Sequence, residues 1–164
     1  MSHPDTKVLV APDRDLSALS SPLPKVFLAG SIDMGEAANW QARVVDELSA
    51  LPVILFNPRR PDFDTALVQD ITCTPFAEQV YWELDHLDAA DIVIFCFDPA
   101  GKAPVTLLEL GLHARGKKCL ICCPPGYWRR GNVQIIAERF GAKLVDTLDE
   151  LLAAARIEII AHDI

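Results

Sequence analysis

Short, almost wholly apolar runs recur along this chain, and a stretch of helical period separates most of them from the next. KVFLAG (25–30), PVILFN (52–57), DIVIFCF (91–97), KKCLICC (117–123) and AKLVD (142–146) have the length and residue types of strands. Between and after them, EAANWQARVVDELSAL (36–51) places Trp40, Val44 and Leu48 at steps of four. PFAEQVYWELDHLDAA (75–90) places Phe76, Val80, Leu84 and Leu87 on one predicted face, with Pro75 suited to a first helical turn. VTLLELGLHAR (105–115), NVQIIAERF (132–140) and TLDELLAAAR (147–156) complete the helices, and IEIIAHDI (157–164) is a tail. A strand that is apolar at nearly every position must be covered on both faces, which is the condition of a parallel sheet between two helical layers. The expected fold is therefore α/β, a three-layer sandwich with a flavodoxin-like five-stranded parallel sheet of order 2-1-3-4-5.

The chain has 164 residues, 51% of them hydrophobic, which is enough for one core and not for two. Residues 1–24 are polar and broken by proline, and read as an N-terminal arm whose KVLVA stretch is a candidate edge strand; residues 25–164 read as one domain. A net charge of -8 argues against a broad basic surface for nucleic acid. No apolar run approaches the ~20 residues of a membrane span, and the N-terminus lacks a signal-peptide pattern. A cytoplasmic protein with no membrane partner is expected. Of five cysteines, Cys119 and Cys122 have the C-x-x-C spacing. They lack a second ligand pair, and in a strand they point to opposite faces, so buried thiols rather than a metal site are expected. No cofactor motif is present: GSIDMG (30–35) is neither a Walker loop nor a dinucleotide fingerprint.

In a sheet wound this way, ligands bind beyond the carboxyl ends of the strands where the winding reverses. That point lies between the first and third predicted strands, so the loops at 30–35 and 98–104 form its mouth. Gly30, Ser31, Ile32 and Asp33 come from one loop and Asp98 from the other, and Glu109 follows in the next helix. Asp33 is a helix cap or a pocket acid. Thr106 and Glu109 have the T-x-x-E spacing of a capping box. Glu109 thus has two readings, as a cap for its own helix or as a nucleophile in the cleft. A second carboxylate, Glu83, precedes the third strand, and two carboxylates can divide nucleophilic and proton-transfer work at a glycosidic bond. FNPRRPDFD (56–64), which contains Asn57, and PPGYWRRG (124–131) are candidates for the pocket rim; Trp40, Arg59 and Tyr127 either stack on or hydrogen-bond a base there or pack in the core or at the surface.

KVFLAGSI, FNPRR, QVYWELDHLDAADIVIFCF, VTLLELGLHARGK and GNV occur in that order. Together they resemble the nucleoside 2-deoxyribosyltransferases, in particular the deoxyribosyltransferase-like branch, over roughly residues 25–150. The resemblance implies exchange of the base of a 2′-deoxynucleoside through a covalent deoxyribosyl ester on Glu109, with net retention. It implies that Glu83 is the second acid and that Asn132, lent by a neighbouring subunit, binds the sugar. It also implies that the partners are a nucleoside, a free nucleobase and a second copy of the chain. Ala103 stands where the family has a further acid six residues before the nucleophile, and Asp98 is the candidate substitute. A glutamate so near a helix start is expected to be ionised. Two other functions compete with transfer. One is hydrolysis of a nucleoside or nucleoside 5′-monophosphate by the same glutamate, and the other is non-catalytic nucleotide binding.

Overall fold

The computed structural model describes residues 3–32, 38–62 and 64–162. Its centre is a fully parallel sheet of order β1-β3-β2-β4-β5-β6. The strands are β1 (Lys7–Val10), β2 (Lys25–Gly30), β3 (Ile54–Asn57), β4 (Ile92–Cys96), β5 (Lys118–Cys122) and β6 (Lys143–Val145). The helices are α1 (Leu16–Leu19), α2 (Trp40–Leu48), α3 (Thr74–Ala89), α4 (Pro104–His113), α5 (Arg130–Phe140) and α6 (Leu148–His162). The flavodoxin-like three-layer class holds, with six strands rather than five. The extra strand is the KVLV stretch, whose residues pair one for one with Ile54–Asn57 and so cover what would be an open edge of β3.

Alternation of side chains along the strands divides the core in two. Val26, Leu28, Leu55, Ile94 and Leu120 face one way and pack with Trp40, Val44 and Leu48 of α2 and Leu151, Leu152 and Ile159 of α6. Phe27, Ala29, Phe56, Phe95 and Ile121 face the other way and pack with Trp82 of α3, Leu110 of α4 and Val133 of α5. The four-residue spacing of Trp40, Val44 and Leu48 therefore buries as predicted. Cys119 and Cys122 also fall in opposite layers, as strand alternation requires.

Two helices depart from expectation. On α3 the buried positions are Gln79, Trp82, His86 and Leu87, while Leu84 is 37% exposed. Trp82 decides the rotation of the helix. Its ring stacks on His86 with centroids 4.0 Å apart, and its indole N–H donates to the Asp13 carbonyl at 2.7 Å. An indole offers far more area to bury than a leucine and needs a partner for its N–H, so it takes the inward position. Glu83, next in sequence, is carried to the edge of the buried face. At the C-terminus the predicted tail continues α6 to His162, with Ile159 anchoring the last turns in the core. No helix is long and apolar enough to cross a membrane among the described residues.

Candidate active site

The winding reverses between β2 and β4, which lie side by side with Gly30 opposite Cys96. The sheet is tightest there. A methyl group on Gly30 would stand 2.4 Å from the Cys96 carbonyl oxygen and 2.5 Å from the Trp40 ring, so only glycine fits. Ser31 then fastens the mouth from three directions. Its N–H donates to the Cys96 carbonyl at 2.9 Å, its hydroxyl oxygen accepts the Asp98 N–H at 3.0 Å, and its carbonyl accepts the Trp40 indole N–H at 3.1 Å. Trp40 and Ser31 are both buried, and Ile32 is half-buried beyond them. Asp33 lies outside the described residues.

The neighbouring strand contributes a second rim. Asn57 ends β3, and its side-chain oxygen accepts the Arg59 N–H at 3.0 Å. The Arg59 guanidinium donates to the Ala38 carbonyl at 3.1 Å and to Gln41 at 3.4 Å, which ties the β3 loop to the start of α2. Asp98 closes a local turn by accepting the Ala100 N–H at 2.8 Å.

The acids complete the arrangement. α4 begins at Pro104, and Ala103 precedes it in a left-handed conformation (φ 44°) with no side-chain cap. Thr106 therefore lies in the first turn and Glu109 in the second, and the capping box read from the sequence does not form. Glu109 is instead buried at 8% exposure, and among the described residues no hydrogen bond reaches its carboxyl group. Burial pushes its pKa up to about 8, and the nearby charge of Glu83 adds to the shift. The expectation of a readily ionised glutamate is thus corrected. One turn deeper in the helix, the carboxyl is beyond the free N–H groups of the helix start, and desolvation wins over the dipole.

Glu83 is brought to Glu109 from α3. Burial raises its pKa as well, opposed by a hydrogen bond of 2.8 Å that its carboxylate accepts from Gln79. Gln79 went unnoticed in the sequence, although its position four residues before Glu83 is a readable helical relation.

Asn132 lies elsewhere. It is exposed on the first turn of α5 and lines a groove of about 350 Å³ with Leu107, Leu110, Gly111, Arg129 and Val133; Glu109 is not in that lining. Tyr127 is buried against Phe97 at 4.7 Å, and its hydroxyl donates to the Lys102 carbonyl at 2.6 Å. Trp128 donates to the same carbonyl at 3.0 Å, so the loops after β4 and β5 are joined just before α4. Among the described residues no three His, Cys, Asp or Glu side chains converge as a metal site.

No curated protein matches the chain. A crystal structure of a conserved protein from Enterococcus faecalis V583 shares the fold with a TM-score of 0.56 at 13% identity, over 80% of this chain and 96% of that one. The family model described as nucleoside 2-deoxyribosyltransferase like matches residues 23–127, a span that holds β2 to α4 with Glu83 and Glu109. With well over half of its length matched, the chain belongs to the nucleoside 2-deoxyribosyltransferase-like family.

Proposed function

We propose that the protein is a 2′-deoxyribosyltransferase that exchanges the base of a 2′-deoxynucleoside, with Glu109 as nucleophile and Glu83 as acid and base. The observation that carries the reading is the pair itself. A buried carboxyl group on α4, Glu109, and a half-buried one on α3, Glu83, lie close enough for the charge of one to act on the other, and Glu109 has no protein hydrogen bond among the described residues. Like charges held together in a desolvated site favour one proton for two groups. One proton is also what the reaction needs: an anionic nucleophile and a protonated acid.

In the unliganded protein the strong upward shift of Glu109 leaves the proton chiefly on that residue at neutral pH. Bound nucleoside moves it to Glu83. The Glu109 carboxylate then attacks C1′, the C1′–N bond breaks, and its electron pair stays with the departing base. That base takes the Glu83 proton. The absence of a 2′-hydroxyl removes an electron-withdrawing group and makes the oxocarbenium-like transition state accessible. A second base attacks C1′ of the ester, the Glu109 carboxylate leaves, and Glu83 takes the proton back. Two inversions give net retention.

Gly30, Ser31, Ile32, Asn57, Arg59 and Asp98 lie at the ends of β2 and β3 and on the loops beyond them and beyond β4, and form the substrate-binding set, with Trp40 supporting Ser31 from below. Asn132 serves the neighbouring subunit's site in a homodimer or larger assembly. Two features support self-association. Val105, Leu108 and Leu112 make an exposed apolar stripe along α4, at 58%, 64% and 59% exposure. The apolar groove that Asn132 lines runs beside that stripe. Buried interfaces commonly use such stripes.

The test is incubation with a 2′-deoxynucleoside, with and without a second free base, and chromatography of the products. A new nucleoside supports transfer. Free base and deoxyribose without exchange would replace transfer by hydrolysis, and binding without turnover would replace both by a nucleotide-binding role.

A further inference from the structure

Gln79 is 5% exposed, and all of its donor capacity is committed. Its amide nitrogen donates to the Pro58 carbonyl at 3.1 Å and to the Glu83 carboxylate at 2.8 Å. The opposite orientation of the amide would set its oxygen against two acceptors, so the partners themselves fix which end points to Glu83. The amide oxygen is left buried with no hydrogen-bond partner among the described residues. A buried amide with an unpaired oxygen is a poor way to fill space in a helix interface, because an apolar side chain of the same volume carries no such penalty. What the amide does supply is a rigid link from the carbonyl between Asn57 and Arg59 to one oxygen of Glu83. Among the described residues the other Glu83 oxygen makes no hydrogen bond, and the charge of Glu83 acts on Glu109 of α4.

We propose that Gln79 is the positioning residue of the carboxylate pair: it holds one Glu83 oxygen against the β3 rim so that the other is aimed at the departing base. The inference rests on the transferase reading for its consequence, but the contact can be judged without it. By donating to the charged form, the amide also keeps Glu83 the more acidic member of the pair in the unliganded protein.

The experiment uses the full-length chain with ¹³C-carboxyl-labelled glutamate. The Glu83 resonance, assigned by its loss in Glu83→Gln, is titrated in wild type, Gln79→Met and Gln79→Glu. In Gln79→Met the Glu83 midpoint is expected to rise by about half a pH unit or more. In base exchange, kcat is expected to fall roughly tenfold with KM changed less than about threefold, because the lost contact acts on proton transfer rather than on binding. Gln79→Glu keeps the side-chain shape and safeguards against a packing failure in the methionine variant. Its activity relative to wild type should recover as pH falls, when the new carboxyl gains a proton to donate. A Glu83 midpoint unchanged in Gln79→Met, or Gln79→Glu activity that does not recover as pH falls, overturns the proposal. If the wild type exchanges no base at all, the transferase reading falls, while the titration still decides whether Gln79 controls Glu83.

Discussion

Two tetrads of this chain have the same spacing, Thr106-Leu-Leu-Glu109 and Thr147-Leu-Asp-Glu150, and only the second is a capping box. At α6 the Glu150 carboxylate accepts the Thr147 N–H at 3.1 Å, and the Thr147 hydroxyl oxygen accepts the Glu150 N–H at 3.3 Å. Both residues are exposed. At α4 the helix starts three residues earlier than a cap at Thr106 would place it, at Pro104, and both Thr106 and Glu109 are buried. Proline explains part of this difference. It has no N–H and a φ already suited to a first helical turn, so the helix begins with it and the threonine is drawn inside. The lesson is that a local pattern names a set of possible bonds. Which bonds form depends on where neighbouring elements start the helix and what they bury.

The two glutamates should differ most in what their loss does to activity. Glu109→Gln should lower base exchange by roughly a thousandfold or more, the scale of losing a covalent nucleophile, while Glu150→Gln stays within about twofold of wild type. Product chromatography measures both. Comparable losses in the two variants would erase the functional distinction.

Stability against pH sharpens the same contrast. The folded protein holds the Glu109 pKa above its unfolded value, so the native state prefers the protonated form. Its stabilising contribution is complete below about pH 4.5 and is lost as pH rises towards 8. Glu109→Gln should therefore melt higher than wild type at pH 8, by about 5 °C, with the gap closing near pH 4. Thermal melts at several pH values read this directly, and a gap that widened towards low pH would reverse the assigned sign.

Two smaller effects concern the threonine and the helix start. Thr147→Val should cost ~1 kcal/mol through loss of the cap, whereas Thr106→Val, which breaks no cap, should stay within ~0.5 kcal/mol. Denaturant unfolding separates the two. Ala103→Gly should raise stability by ~0.5–1 kcal/mol, since the left-handed backbone before α4 suits glycine better than alanine. If Ala103→Gly also lowered kcat without changing KM, the strained start of α4 would be implicated in aiming Glu109.

The legibility of the fold followed the strength of its patterns. β2 to β5 were readable because each is apolar at almost every position, a pattern that water does not tolerate outside a covered sheet, while β6 (Lys143–Val145) rested on its place in the alternation. KVLV was harder to place as an edge strand, because a four-residue run with two exposed positions has a weak signature and is fixed only by pairing with Ile54–Asn57. The face of α3 was misread because four apolar residues at helical spacing outweighed a single tryptophan. The switch-point argument and the family resemblance singled out Glu109, Glu83, Ser31 and Asp98 as candidates. Gln79 was not among them, since a lone glutamine on a helix carries no chemistry until a carboxylate and a carbonyl are seen on either side of its amide.

By itself the sequence determined the alternation of strand and helix, the parallel winding and the family, because these follow from hydrophobic period and ordered motifs along one dimension. The start of α4, the rotation of α3 and the burial of Glu109 within electrostatic reach of Glu83 came only with the tertiary structure. Those depend on which surfaces are excluded from water by residues far away in the chain. An acid's proton affinity is a property of that exclusion and not of its neighbours in sequence.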